Sequence, residues 1–318
     1  MSIIPETCSF GNLKQAEEPK VMVIPVPYEY TTSYGKGTKY GPQAILNAST
    51  KLEFFDDELW LDTSKVGINT SSFVSCEFVS NKSSKPFNEL TQAVRTAHIS
   101  GALPIVLGGE QSITLGSVKA IYDLFPEVSI LHFDAHPDLK ETNKNNKYGH
   151  TSTMKRILET MSDIKIIQLG IRNISKEEKD YLENESPNIE IFFGKEKAKW
   201  NLTDILTSLS KNVYISFDFS FFDISIMPST GKPEPGGVLW DQTLEIIKNV
   251  CAFKEIVGMD FVELSPISGL HASDFLAAKL IYKTIGYTFA RQLGALDQKE
   301  QLKKQEILSG AKLNKIGS

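Results

Sequence analysis

In the stretch VSILHFDAHPD (128–138), a run of mostly apolar side chains gives way abruptly to Asp134, His136 and Asp138. Apolar residues at consecutive positions mark a strand covered on both faces, as in a parallel sheet. Charged residues are almost never set at the end of such a strand unless they are paired or metal-bound. The spacing i, i+2, i+4 in extended backbone puts the three side chains on one side, converging on a point. Carboxylate oxygens with one imidazole suit Mn²⁺, and less well Mg²⁺ or Zn²⁺. Taken alone, the motif reads equally well as a solvated strand-end loop whose charges cap a helix.

A second acidic strand end favours the metal. VYISFDF (213–219) runs into Asp218, with Ser220 and Asp223 just beyond, and EIVGMDFVE (255–263) runs into Glu263. Two carboxylate-bearing strand ends in one sheet are hard to explain as capping, whereas ligands of open parallel sheets bind outside the carboxyl ends of the strands. Further strand candidates are VMVIPV (21–26), PIVLGG (104–109), IKIIQLG (164–170) and IEIFF (189–193). Between them, 112–125, 151–161, 175–184, 202–210, 240–251 and 272–290 carry helical spacing. The alternation predicts a three-layer α/β/α domain with a mostly parallel sheet. There is no GxSxG elbow, no GxGxxG entering a helix and no GxxxxGK[ST] loop. Gly108-Gly109-Glu110 follows a strand but lacks the third glycine and the lysine of a phosphate loop.

Composition sets the class. The chain has 318 residues, 41% hydrophobic and 23% charged, enough for a sizeable core, and its formal charge of −5 gives no reason to expect nucleic acid or an anionic membrane as partner. No stretch approaches the ~18 apolar residues of a spanning helix, and the N-terminus lacks the pattern of a secretory signal. Cys8, Cys76 and Cys251 are widely spaced and odd in number, which fits a reducing, cytoplasmic setting better than a disulfide framework. Residues 291–318 are polar and lysine-rich and read as a peripheral helix fraying into a tail.

The motifs together resemble the ureohydrolases, the family of arginase, agmatinase and formimidoylglutamase. Its marks GGxHS, DAHxD and SFDxDxxDP stand here as GGEQS (108–112), DAHPD (134–138) and SFDFSFFDI (216–224). TTSYGKGTKYGPQAI (31–45) resembles the family's N-terminal substrate-side loop. KYGHTSTMKRI (147–157), PSTGKPEPGG (228–237) and FVELSP (261–266) resemble its remaining segments. The likeness divides the chain into an N-terminal extension (1–19), the ureohydrolase domain (20–290) and the tail (291–318). It implies the arginase-like fold with a central sheet of about eight strands, and assembly into a homo-oligomer, a trimer or hexamer. It also implies two Mn²⁺ ions that generate a nucleophile to attack a guanidinium carbon and release urea. Carried over residue by residue, Asp134 and Asp218 are the carboxylates shared between the metals. His136 is a ligand of one of them. Asp138 is both a ligand and the group that protonates the departing amine. His150 is the proton shuttle, and Glu263 pairs with the small guanidino substrate.

Two ligands of the pattern are changed. The histidine of GGxHS is Gln111, the second aspartate of SFDxD is Ser220, and Ile224 replaces the following proline. Gln111 still offers a carbonyl oxygen; Ser220 loses a negative charge. The position built from Gln111, Asp134, Asp138 and Asp218 is therefore expected to bind better than that of Asp134, His136, Asp218 and Ser220. Asp223 is not expected to move in as a replacement. LKETNKNNKYGH (139–150) lacks the segment that holds an amino acid's α-groups in arginase, which favours a decarboxylated substrate such as agmatine. The alternative is a catalytically impaired paralogue serving as scaffold or regulatory subunit. Outside this site His98 and His132 are expected to be packing or surface residues, His271 solvated, and Phe217, Phe219, Phe221 and Phe222 mostly core.

Overall fold

The computed structural model describes residues 8–142, 145–185 and 187–294, so most of the expected tail lies outside the described residues. In chain order the strands are β1 (Val21–Val26), β2 (Phe55–Asp56), β3 (Leu61–Asp62), β4 (Ile68–Thr70), β5 (Leu103–Gly108), β6 (Ser129–Phe133), β7 (Lys165–Ile171), β8 (Ile189–Phe193), β9 (Asn212–Asp218) and β10 (Glu255–Val262). The α-helices are α1 (Gly41–Ser49), α2 (Asn88–Ile99), α3 (Thr114–Tyr122), α4 (Thr153–Thr160), α5 (Lys176–Glu185), α6 (Leu202–Ser208), α7 (Trp240–Phe253) and α8 (His271–Phe289). β2 and β3 form a small antiparallel pair. The others make one eight-stranded sheet in the order β4-β1-β5-β10-β9-β6-β7-β8, and every pairing in it is parallel.

Alternation along the strands feeds two cores. Ile105, Leu107, Leu131, Phe133, Ile215, Phe217, Met259 and Phe261 face one side, where they pack with residues of α1, α6, α7 and α8. Val106, Ile130, Ile166, Tyr214 and Val257 face the other, against α2, α3 and α4. β5 and β6 are buried at every position, which is why they read as unbroken apolar runs. The aromatic run after β9 belongs to the first core: Phe217, Phe219, Phe221 and Phe222 are all buried.

Four elements escaped the sequence reading: the two-residue strands β2 and β3, β4 and α1. β4 is three residues long on a sheet edge and carries no apolar run. α1 begins inside the segment expected to be a loop, with Pro42 in its first turn, where the missing N–H costs nothing. Part of the N-terminal extension is built into the fold. Phe10 is fully buried, its N–H donates to Thr70 Oγ1, and the N–H of Gly11 donates to Ser49 Oγ. Among the described residues no helix is long and apolar enough to cross a membrane.

Candidate metal and substrate site

The carboxyl ends of the middle strands β5, β10, β9 and β6 meet at one place. Below them runs a buried polar row, one residue per strand, in register across β7, β6, β9 and β10: Gln168, His132, Ser216 and Asp260. All four lie on the α2–α4 side; Asp218, one strand repeat beyond Ser216 in β9, faces the same way, and Asp134 stands just past the end of β6. His132 therefore points towards the site; it is neither a surface residue nor mere packing. Its Nε2 is 3.2 Å from Asp134 Oδ2, and the ligand atoms of His132, Asp134 and Asp138 come within 4.8 Å of one another. Gln168 settles its tautomer. The Gln168 amide nitrogen lies 2.9 Å from the Pro137 carbonyl, which only accepts, and 3.0 Å from His132 Nδ1. Its second hydrogen goes to Nδ1, so the proton of the neutral ring sits on Nε2, towards Asp134.

β6 ends at Phe133, so Asp134, His136 and Asp138 do not converge by strand alternation as expected. A turn gathers them instead, with Asp138 in the left-handed region at φ 54°. Glu263 is left-handed as well, at φ 64°. Such conformations are uncommon for side-chain-bearing residues and persist where the surroundings over-determine them, often at functional sites.

Asp134 is the hub. Its Oδ1 accepts from the N–H of His136 at 2.9 Å and from Ser220 Oγ at 2.8 Å, with His136 Nδ1 at 3.3 Å. Burial opposes its ionisation, but the hydrogen bonds and charges of His132 and His136 win and hold its carboxyl well below the usual range. The other carboxyls lack such partners. Burial, followed by the charges of Asp134, Asp218, Glu178 and Glu263, pushes Asp138 well up. Burial with Asp134 and Glu263 does the same to Asp218. Glu263 rises to about 8, chiefly by burial, although it accepts the N–H of Gln111 at 2.7 Å.

These residues fit a divalent cation. Gln111 Oε1 is a buried atom without a hydrogen-bond partner, beside carboxyl groups whose crowding a cation relieves. The Gln111 amide is fixed by Thr114 Oγ1 at 2.8 Å and Ser216 Oγ at 3.0 Å, so its orphaned oxygen is the end offered to a ligand. The fit is poorer at Ser220, whose hydroxyl is spent on Asp134. Asp223 is committed elsewhere, accepting from Ser225 N–H, Ser225 Oγ and Gly236 N–H.

A cleft of about 120 Å³ opens over this cluster, lined by Gln111, His136, Asp138, His150, Asp218 and Glu263 among others. A larger cavity, about 900 Å³, lies by Lys20, Leu103 and Glu255 at the opposite end of the strands and contains none of these groups. His98 lines it, its ring edge-on to Phe125; His271 is exposed. Besides His132, the sequence reading missed Arg172. Its guanidinium donates to the carbonyls of Gly170, Ser220, Phe221, Phe222, Glu234 and Pro235, tying the end of β7 to the loop after β9 and to 228–237. An arginine at the end of a buried strand was the available signal.

A family model described as Arginase family matches residues 19–286. The N(1)-aminopropylagmatine ureohydrolase of Thermus thermophilus is 36% identical over 85% of this chain and 90% of its own length. Its namesake from Synechocystis sp. is 33% identical over 84% and 88%. The crystal structure of agmatine ureohydrolase of Thermoplasma volcanium superposes with a TM-score of 0.79 at 27% identity, covering 91% of this chain and 97% of that one.

Proposed function

The chain belongs to the arginase family, and on that premise we propose that it is a manganese-dependent, agmatinase-like ureohydrolase. It would split a linear, decarboxylated guanidino compound, agmatine or its N(1)-aminopropyl derivative, with water into urea and an amine. The observation that carries this reading is the convergence of Asp138, Asp218 and Glu263 on one cleft with the orphaned Gln111 oxygen, and with Asp134 buried beside Asp138. The position of Gln111, Asp134, Asp138 and Asp218 is the better cation holder, and that of Asp134, His136, Asp218 and Ser220 the weaker. The relatives above are named as enzymes, and the scaffold alternative is not favoured.

When bound, the metal supplies a water acidified enough to attack near neutrality. The chain's own groups do the rest. Glu263, buried among like charges, gains by pairing with the permanently charged guanidinium and holds it flat in the cleft. Asp138, on the same cleft as Glu263, takes the proton that the attacking water gives up and passes it to the leaving nitrogen. His150, on the cleft wall, carries protons between that nitrogen and solvent. Cys8, Cys76 and Cys251 are unpaired, in keeping with a cytoplasmic location, and we expect a trimer or hexamer in solution.

The test is urea release by protein incubated with Mn²⁺ on agmatine and N(1)-aminopropylagmatine. Urea from at least one, abolished by chelator and restored by Mn²⁺, is the expected result. No urea from any linear guanidino compound would refute the reading.

A further inference from the structure

His150 sits at the start of the turn that leads into α4, in a segment far in sequence from Thr31, yet the two are bonded twice. The backbone N–H of His150 donates to Thr31 Oγ1 at 3.0 Å, and His150 Nδ1 lies 3.0 Å from the same oxygen. Thr31 Oγ1 is in turn 2.8 Å from Glu110 Oε1. Glu110 is fully buried and gathers donors: the N–H of Tyr30 and of Thr31 reach Oε2 at 2.7 Å, and Ser112 Oγ reaches Oε1 at 2.6 Å.

The hydroxyl arithmetic leaves one arrangement. A threonine oxygen has one hydrogen to give and two lone pairs to accept with. A buried carboxylate only accepts, so the Thr31 hydrogen goes to Glu110. Both lone pairs then take donors, one the His150 backbone N–H and the other His150 Nδ1, which must carry a hydrogen. The neutral ring is thereby held as the Nδ1–H tautomer, the less populated form of a free histidine side chain, with Nε2 as the basic nitrogen. A partner that orients a histidine and chooses its tautomer is a recurrent device of acid–base sites.

We propose that Thr31 and Glu110 are positioning residues for His150, fixing its tautomer and ring orientation so that Nε2 is the atom that takes and gives the proton. This rests on the reading of His150 as a proton carrier only for its catalytic consequence; the tautomer itself is a property of the resting protein. It also gives the segment 29–37 a duty beyond lining the cleft. A second carboxylate, Glu29, accepts from Gly37 N–H at 2.7 Å and from Thr32 Oγ1 at 3.2 Å, holding that segment in the shape that presents Thr31.

The experiment is ¹⁵N–¹H correlation spectroscopy of the imidazole rings in the full-length protein at about pH 9, where histidine is neutral. The chain has five histidines, and the spectrum of His150→Gln identifies the signals of His150. The wild type should show His150 protonated on Nδ1. Thr31→Val should lose that preference, and Thr31→Ser should keep it. On substrate, Thr31→Val should lower kcat about ten- to hundredfold, within the ~10²–10⁴ a general acid–base group contributes, with KM nearly unchanged and recovery in Thr31→Ser. A wild-type ring protonated on Nε2 overturns the proposal without any variant, so a Thr31→Val protein that fails to fold does not shelter it. A Thr31→Val protein that loses activity with the tautomer unchanged also overturns it. A wild type with the Nδ1–H ring that releases no urea would sink the proposed function and leave this inference standing.

Discussion

Asp218 and His150 both line the cleft, but the proposed chemistry leans on them unequally. In the proposed site Asp218 serves both cation positions; it is buried and accepts the N–H of Ser220 at 2.6 Å. The role proposed for His150 is to move protons, a task water or buffer takes over in part. His150→Ala should therefore cost about 10²–10⁴ in kcat, and Asp218→Ala should cost more and lower Mn²⁺ affinity as well. Steady-state urea release with metal analysis on the two variants decides this; activity surviving in Asp218→Ala but not in His150→Ala would contradict the metal-water chemistry. At this scale the sequence showed the acidic groups of the cleft but not their supports. Asp134, Asp138, Asp218 and Glu263 were legible because a charge at the end of an apolar run is conspicuous. His132, Gln168, Ser216 and Asp260 lie inside the runs, where each looks like an isolated exception. Only register across four strands shows that they form one row. Thr31 and Glu110 were hidden for a related reason, since 119 residues separate Thr31 from His150.

The elements that deliver the site are short junctions, and Gly109 is the tightest of them. A Cβ there would lie 2.0 Å from the carbonyl oxygen of Tyr28, a backbone atom with little room to yield. The same residue donates to Val26 O at 3.0 Å and accepts from Glu263 N–H at 2.8 Å, so it locks the ends of β1, β5 and β10 together. Gly109→Ala should destabilise the protein by about 1–3 kcal/mol or more, as overpacking does, and displace Glu263. Thermal unfolding and the KM for the guanidino substrate would report the two effects; a wild-type Tm together with a wild-type KM would show that the junction is looser than described. The central strands could be read in advance to within a residue or two because they are buried on both faces. β4 could not, since an edge strand of three residues has no apolar run to announce it. α1 was masked by the glycines and the proline of a segment whose loop character stops at Gly41. The turn that gathers Asp134, His136 and Asp138 was equally out of reach, because a left-handed aspartate leaves no mark on residue spacing.

The molecule as a whole is braced far from the cleft by a charged cluster that ties the β2–β3 region to α7 and α8. Lys283, buried on α8, pairs with the fully buried Asp56 at 3.0 Å and with Glu58 at 3.3 Å, while Lys248 on α7 reaches Glu58 at 2.8 Å. Burial opposes ionisation of Glu58, but hydrogen bonds from Lys248 and Tyr287 and the charges of Lys248 and Lys283 win and lower its pKa. Lys283 lowers that of Asp57 too. A carboxyl with a depressed folded-state pKa stabilises above its unfolded value, about 4, and that contribution disappears as pH falls through the folded value. Tm should thus drop in acid. Lys283→Met, which leaves Asp56 as a buried unpaired charge, should cost about 3–5 kcal/mol at neutral pH and flatten the acid limb. A variant as stable as wild type with the same acid limb would remove the brace from the account. The claim on which the rest depends is that an otherwise complete ureohydrolase frame here works with two altered metal ligands. The most direct measurement is a Mn²⁺ titration of wild type and of the Gln111→His/Ser220→Asp double variant, followed by urea release from agmatine and N(1)-aminopropylagmatine. The account predicts that the wild type needs more Mn²⁺ to reach its plateau. The double variant should saturate earlier, turn over faster and gain more than its two single changes together, because both cation positions share Asp134 and Asp218. A double variant that binds two Mn²⁺ yet releases no urea, or a wild type already as tight and as fast, would contradict it.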